Sequence, residues 1–179
     1  MSGHKIYAPK GVGALYIRSG IKFERIQQGG HQESNKRAGT ENVAGIVGIG
    51  KAIELIYNNF DVYNLKLKRM RDYFIKKIEQ KIPDAQLNGH RIDRLPGNVN
   101  ISFKGIDAEE LLLKLDAYGI CASAGSACTS GMVDPSHVLV AIGLKQEYIQ
   151  GALRVTFGKD NTMDDVNFLI QCLCNSIKN

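Results

Sequence analysis

Cys128 stands within Ala122-Ser-Ala-Gly-Ser-Ala-Cys-Thr-Ser-Gly131, ten consecutive small residues. Such a run gives a core little to grip, so the sequence predicts an exposed, mobile thiol, unlike the buried cysteine usual in protein interiors. A thiol of that kind can attack a bound substrate and then swing outward. A tight-turn linker with an incidental cysteine fits the same residues, and the residues alone leave both readings open. Cys172 and Cys174 are two apart on a helical stretch, hence on different faces, and cannot jointly chelate or pair there. Cys121 follows the strand-like Gly119-Ile120 and is expected in the core. The four histidines, His4, His31, His90 and His137, show no metal-ligand spacing, so no zinc site is expected.

Three other places offer chemistry. Ser2-Gly-His-Lys5 combines a hydroxyl, an imidazole and an amine, although by itself it reads as an exposed tail. Thr40 opens a helix read as running to about Tyr57 and is a good N-cap with or without a ligand. Arg154 lies between Leu153 and Val155 of an alternating strand and so points to the face opposite the core, where it can be an ordinary exposed residue.

The elements that must position these groups follow from periodicity. Val12 to Arg18 and Phe23 to Gln27 read as short strands joined by a turn at Ser19-Gly20, and Gln28 to Gly39 reads as a loop. Ala44, Gly45, Gly48 and Ala52 give the Thr40 helix a small-residue face on which another backbone can pack closely. Tyr63, Leu67, Met70, Phe74, Ile78 and Ile82 form one apolar stripe of a long helix that Pro83 stops. Val99, Ile101 and Phe103 alternate with polar residues as a half-buried strand requires. Asp107 with Glu110 opens a helix with core residues Ala108, Leu111, Leu112 and Leu115, closed by Gly119. Thr162 with Asp165 caps a last helix whose stripe is Val166, Leu169, Ile170, Leu173 and Ile177. Strands and helices mix without βαβ regularity. The expected architecture is α+β, a mostly antiparallel sheet with helices on one face, over residues 61–179.

Composition narrows the function classes. At 44% hydrophobic residues the chain can bury a core, and no apolar run approaches a membrane span. The start lacks the apolar centre of a signal peptide, so a cytoplasmic location with reduced thiols is expected. Of the +5 net charge, much falls on Lys66, Lys68, Arg69, Arg71, Lys76, Lys77 and Lys81, read as a solvated helix face. No aromatic or reader motif is interleaved there, which argues against direct nucleic-acid binding; an acidic protein partner fits the charge.

Five segments in order resemble the NifS/IscS-type cysteine desulfurases, pyridoxal-phosphate enzymes of the class V aminotransferase family. Ser2-Gly-His-Lys-Ile-Tyr-Ala-Pro-Lys-Gly11 is similar to the lysine motif, with Ala8 where glycine is more usual. Gly29-Gly-His-Gln-Glu33 with Arg37-Ala-Gly-Thr40 looks like the glycine-rich loop. Ser123-Ala-Gly-Ser-Ala-Cys-Thr-Ser130 resembles the catalytic-cysteine loop of the longer-loop subgroup, and Asp134-Pro-Ser-His-Val-Leu139 and Leu153-Arg-Val-Thr-Phe-Gly158 keep the family's order. The resemblance covers all 179 residues but only the second half of the family pattern.

The resemblance implies a role for each residue. Lys5 would carry pyridoxal 5'-phosphate as a Schiff base and shuttle the substrate proton. Ser2, Gly3 and His4 would bind the cofactor phosphate, and Thr40 would offer donors to the neighbouring subunit's site. Arg154 would clamp the carboxylate of L-cysteine. Cys128 would take its sulfur as a persulfide, leave L-alanine, and pass sulfur to an acceptor such as an iron–sulfur scaffold or tRNA-thiolation protein. The fold implied is the small C-terminal domain of a fold-type-I transferase at 61–179, with 1–60 a remnant of the large cofactor-binding domain, in a homodimer. The expectation for this 179-residue piece is that it is inactive alone. The alternatives are a non-catalytic interaction or dimerisation module, a selenocysteine lyase, or another class V aminotransferase.

Overall fold

The computed structural model describes residues 1–124 and 136–178. The chain divides into two compact units, Met1–Phe60 and Asp61–Asn179.

In the second unit, helix α3 (Phe60–Lys81) carries the expected stripe, with Met70, Phe74, Ile75 and Ile78 buried and Ile82 following. The chain then enters a three-stranded antiparallel sheet ordered β1 (Ala85–Leu87), β2 (Asn98–Phe103), β3 (Ala152–Thr156). Val99, Ile101 and Phe103 of β2 meet Leu153 and Val155 of β3 on one face, and α3 packs there with α4 (Ala108–Asp116) and α7 (Met163–Lys178). Each large side chain so removed from water contributes about 1.5–3 kcal/mol before entropy is counted. The short helices α5 (His137–Ala141) and α6 (Gln146–Ile149) form a smaller cluster on the other face, where Leu139, Leu144 and Ile149 meet Ala152.

The caps are built as the spacing suggests, with one difference. The Asp107 carboxylate accepts from the N–H groups of Glu109 and Glu110 at 2.8 and 3.2 Å. Glu110 itself turns to Lys114 at 2.9 Å. At α7 the exchange is reciprocal: Thr162 N–H donates to Asp165 at 2.8 Å, and Asp165 N–H donates to Thr162 Oγ1 at 3.2 Å. Gly119, at φ +75°, ends the α4 region in a conformation that disfavours a side chain.

In the first unit, a 3-10 turn Gly3–Ile6 is tied back by the bridge Ser2↔Gly13. Helix α2 (Val43–Asn58) starts later than expected, and Asn42, not Thr40, is its cap, accepting from Gly45 N–H at 3.1 Å. Its small-residue face is occupied within the unit: a Cβ at Gly45 would meet Val12 Cβ at 3.1 Å, and one at Gly48 would meet Pro9 Cδ at 2.8 Å.

The expected strands 12–18 and 23–27 do not form. Residues 12–14 pair only with residues 1–3, and the turn survives, with Ile21 N–H donating to Arg18 O and Gly20 at φ +85°. Two short ribbons without a third strand or a buried face are marginal, and Leu15, Tyr16 and Ile26 are largely exposed. The loop 28–39 contains a four-residue turn, α1 (Gln32–Asn35), in which Glu33, Ser34 and Asn35 have φ of 52°, 55° and 63°. Left-handed backbone at non-glycine residues costs roughly 1–2 kcal/mol each. Side chains hold it in place: Arg25 Nη1 donates to Asn35 Oδ1 at 2.6 Å and to Gly30 O at 3.0 Å, and Gly39 N–H donates to Gln32 Oε1 at 3.1 Å.

Candidate active site

Arg154 occupies the centre of β3 on the face away from the main core and is half-buried. Its backbone is paired on both sides. Asn100 of β2 is its partner in register. On its other edge Ser123 forms a bridge, with Arg154 N–H donating to Ser123 O at 2.7 Å and Ser123 N–H donating to Arg154 O at 3.2 Å. The strand that carries the candidate carboxylate clamp thus fixes the root of the Cys128 segment, five residues before the thiol. Cys128 itself lies outside the described residues, as does everything from 125 to 135.

Beyond Asn100 the same row reaches Asn88, just past β1, whose N–H donates to Asn100 O at 2.9 Å. Asn88 is buried, and its Nδ2 donates to Asn100 Oδ1 at 2.7 Å and to fully buried Ser102 Oγ at 2.8 Å. Sequence reasoning missed this network. The signal for it was the polar half of the β2 alternation, Asn98, Asn100 and Ser102, which an ordinary solvent face would not bury.

The other candidate residues gather in the first unit. Ser2, His4 and Lys5 stand exposed on the 3-10 turn, and Thr40 is exposed two residues before the α2 cap. Gly3 differs, because its N–H donates to Val12 O at 2.8 Å. A Cβ there would come within 2.9 Å of that oxygen, so Gly3 makes room and is not a free donor. The donor chemistry fits pyridoxal phosphate: hydroxyls and an imidazole suit a phosphate, and a primary amine suits its aldehyde. All four side chains being exposed, this unit supplies contact groups without enclosure.

Two expectations are corrected in the second unit. Cys121 is exposed, not core, because Ile120 and Ala122 on either side pack against the core and alternation turns Cys121 outward. Cys172 is buried, which pushes its thiol pKa up, and Cys174 is intermediate. Arg71 was read as part of a solvated face but is only 2% exposed. It donates to Asp72 Oδ1 through Nε at 2.8 Å and lies 2.7 Å from it through Nη2. It lines a cavity of about 330 Å³ with Lys68, Asp72, Ile75, Arg91 and Ile92. Nearby Arg94 has its pKa lowered, first by burial and then by Arg71 and Arg91. Its Nε donates to His90 O at 2.7 Å and its Nη2 to Asn88 O at 2.5 Å, so its main work is to hold the turn after β1. No group of metal-binding side chains occurs among the described residues, and none of the described helices is long and apolar enough to cross a membrane.

Residues 1–169 match the family Aminotransferase class-V. The chain belongs to that family. This class-V chain is 52% identical over 180 residues to a cysteine desulfurase IscS of Clostridium botulinum, covering 99% of the chain and 45% of the relative. It is 51% identical over 173 residues to a cysteine desulfurase IscS of Dictyoglomus turgidum, covering 97% and 44%. Among solved structures it superposes on a NifS-like protein from Rickettsia africae with a TM-score of 0.89 at 30% identity, covering 99% of the chain and 46% of that protein. A second NifS-like protein gives 0.87 at 30% identity, with 99% and 45% covered. The fold is therefore that of the NifS-like transferases, α+β in its second unit, and the chain spans about half the length of the curated relatives it matches.

Proposed function

We propose that these 179 residues are the later part of a pyridoxal-phosphate-dependent cysteine desulfurase, with residues 61–179 its smaller domain and 1–60 part of its cofactor-binding domain. The observation that carries this is the 52% identity to a protein of that name along 99% of the chain. The order of the lysine turn, the Thr40 loop, the Cys128 segment and the Arg154 strand supports the same reading.

Pyridoxal phosphate, when bound, supplies an electron sink that lets bonds near the amine-bearing carbon break. The chain's own residues do the rest. Ser2, His4 and Thr40 offer donors to a phosphate, Thr40 across a dimer interface. Lys5 would hold the cofactor through its primary amine and move a proton at the substrate. Arg154, a planar fork on a paired strand, holds the substrate's carboxylate. The Cys128 thiolate attacks the sulfur of L-cysteine; the carbon–sulfur bond breaks, and its electron pair stays with carbon. Lys5 returns a proton to that carbon, giving L-alanine and a persulfide on Cys128, with no outside oxidant. An acceptor protein for iron–sulfur assembly or tRNA thiolation then takes the sulfur in the cytoplasm.

The 179-residue chain by itself holds no stable cofactor, because Ser2, His4, Lys5 and Thr40 are all exposed in it and do not enclose a ligand. The test has two arms. Borohydride reduction of the chain with pyridoxal phosphate is expected to leave Lys5 no more labelled than other lysines; stoichiometric label on Lys5 alone refutes that point. The complete enzyme is expected to release alanine from L-cysteine, and Cys128→Ser to abolish it. Full alanine release by the serine variant refutes the role of Cys128.

A further inference from the structure

We infer that Asn100 is a second donor to the substrate's carboxylate beside Arg154, a specificity-determining residue of the site. The assignment deepens the proposed function and takes the nature of the substrate from it.

β2 is the middle strand, so Asn100 has a neighbour on each side: Asn88 beyond β1 and Arg154 on β3. Val99, Ile101, Leu153 and Val155 point into the core, which puts Asn100 and Arg154 together on the opposite face. Directly opposed residues have Cβ atoms roughly 4.5–5.5 Å apart, well within reach of one small ligand. The orientation of the Asn100 amide is set from the β1 side. Buried Asn88 donates through Nδ2 to Asn100 Oδ1 at 2.7 Å and is itself steadied by its bond to Ser102 Oγ at 2.8 Å. With its oxygen engaged by Asn88, the Asn100 amide keeps its NH₂ for another acceptor, and Arg154 is its cross-strand partner.

Arg154 has donors and no acceptor, and an amide nitrogen offers donors only, so these two groups cannot satisfy each other. Both are half-buried, so each keeps some exposure among the described residues. A carboxylate, with about four lone-pair positions, accepts from both at once. The bridge between Arg154 and Ser123 sets this pair of donors against the root of the Cys128 segment. A substrate carboxylate held there lies beside the strand edge from which the thiol-bearing segment departs.

The decisive measurement is steady-state kinetics of the complete enzyme with Asn100→Asp, which keeps size and shape but replaces the donors with a negative charge, and Asn100→Ala. Losing one hydrogen bond to a charged group is expected to raise KM for L-cysteine by about 10- to 100-fold, with kcat changed far less. Inhibition by cysteamine, which keeps the thiol and amine but lacks the carboxylate, is expected to stay as in the wild type. A KM within twofold of wild type, or an equal loss for cysteamine, overturns the assignment. Should the wild type release no alanine, it is the desulfurase reading that fails, and a second measurement still decides on Asn100. In the unmodified 179-residue chain, the Asn100 side-chain amide signals are expected to shift and saturate with sodium acetate but not with sodium chloride at equal ionic strength. Equal responses to the two salts overturn the assignment independently of turnover.

Discussion

Gly151 is the narrowest point in the support of β3, and replacing it with alanine tests whether the sheet holds Arg154 as described. A Cβ at Gly151 would lie 2.0 Å from Phe103 O, 3.0 Å from its carbonyl carbon and 3.1 Å from Ile106 O. All three are backbone atoms, so no side chain can swing aside. Ordinary contact needs about 3.4 Å or more, so one strand end must move by over an ångström. That movement breaks the bond from Phe103 N–H to Gly151 O, now 3.0 Å. Overpacking costs about 1–3 kcal/mol and a lost hydrogen bond about 1 kcal/mol more, for a total of roughly 2–4 kcal/mol. For a cooperative unit of roughly 120 residues, that lowers Tm by about 8–16 °C. Thermal unfolding followed by circular dichroism reads it directly. Gly50→Ala is the control, since nothing lies within 4 Å of a Cβ there; mid-helix alanine is expected to gain about 0.5–1 kcal/mol. A loss below about 0.5 kcal/mol for Gly151→Ala refutes the packing argument.

Other expectations follow from the same structure. Asp165 has its pKa lowered, first by the Thr162 backbone N–H and then by the Asn161 side chain. A depressed carboxylate contributes stability that is complete above its unfolded value of about 3.9 and fades as pH falls through the lower folded value. Asp165→Asn is therefore expected to be less stable than wild type at pH 7 and to converge on it toward pH 2 in denaturant titrations; a constant gap across that range contradicts the cap. Timed alkylation with peptide mapping is expected to label exposed Cys121 before Cys174 and buried Cys172 last. Cys172 labelling first contradicts this order. Amide exchange is expected to be fast in residues 22–26, where no ladder forms, and slow at Val99 and Ile101; equal protection restores the hairpin reading.

Much of the second unit was legible because single patterns decide it. The 3–4 spacing from Met70 to Ile82 has one helical solution, and Val99-Asn-Ile-Ser-Phe103 has one strand face that can be dry. Thr162 and Asp165 are spaced for a reciprocal cap, and they make it. The Arg154 face was readable for the same reason. What escaped depends on partners far away in sequence. Arg71 is next to Met70 on α3, and only the carbonyls of Arg94 and Leu95, at 3.4 Å, together with its own neighbour Asp72 explain its burial. Cys121 was misplaced because the strand-like look of Gly119-Ile120 does not say which residue of an alternating pair faces in. Thr40 and Asn42 are both good caps, and α2 takes Asn42, whose side chain accepts from Gly45 N–H. The residues 12–27 carry strand-forming types, yet propensity without a third strand does not make a sheet.

The proposed function assigns to Cys128 the sulfur of L-cysteine in the complete protein. Brief exposure of the complete, cofactor-loaded protein to L-cysteine, trapping with an alkylating agent and peptide mass spectrometry tests it most directly. One additional sulfur atom is expected on the peptide carrying Cys128, while Cys121, Cys172 and Cys174 gain none. Sulfur on Cys121 with Cys128 unmodified, or alanine released while every cysteine keeps its original mass, contradicts the account.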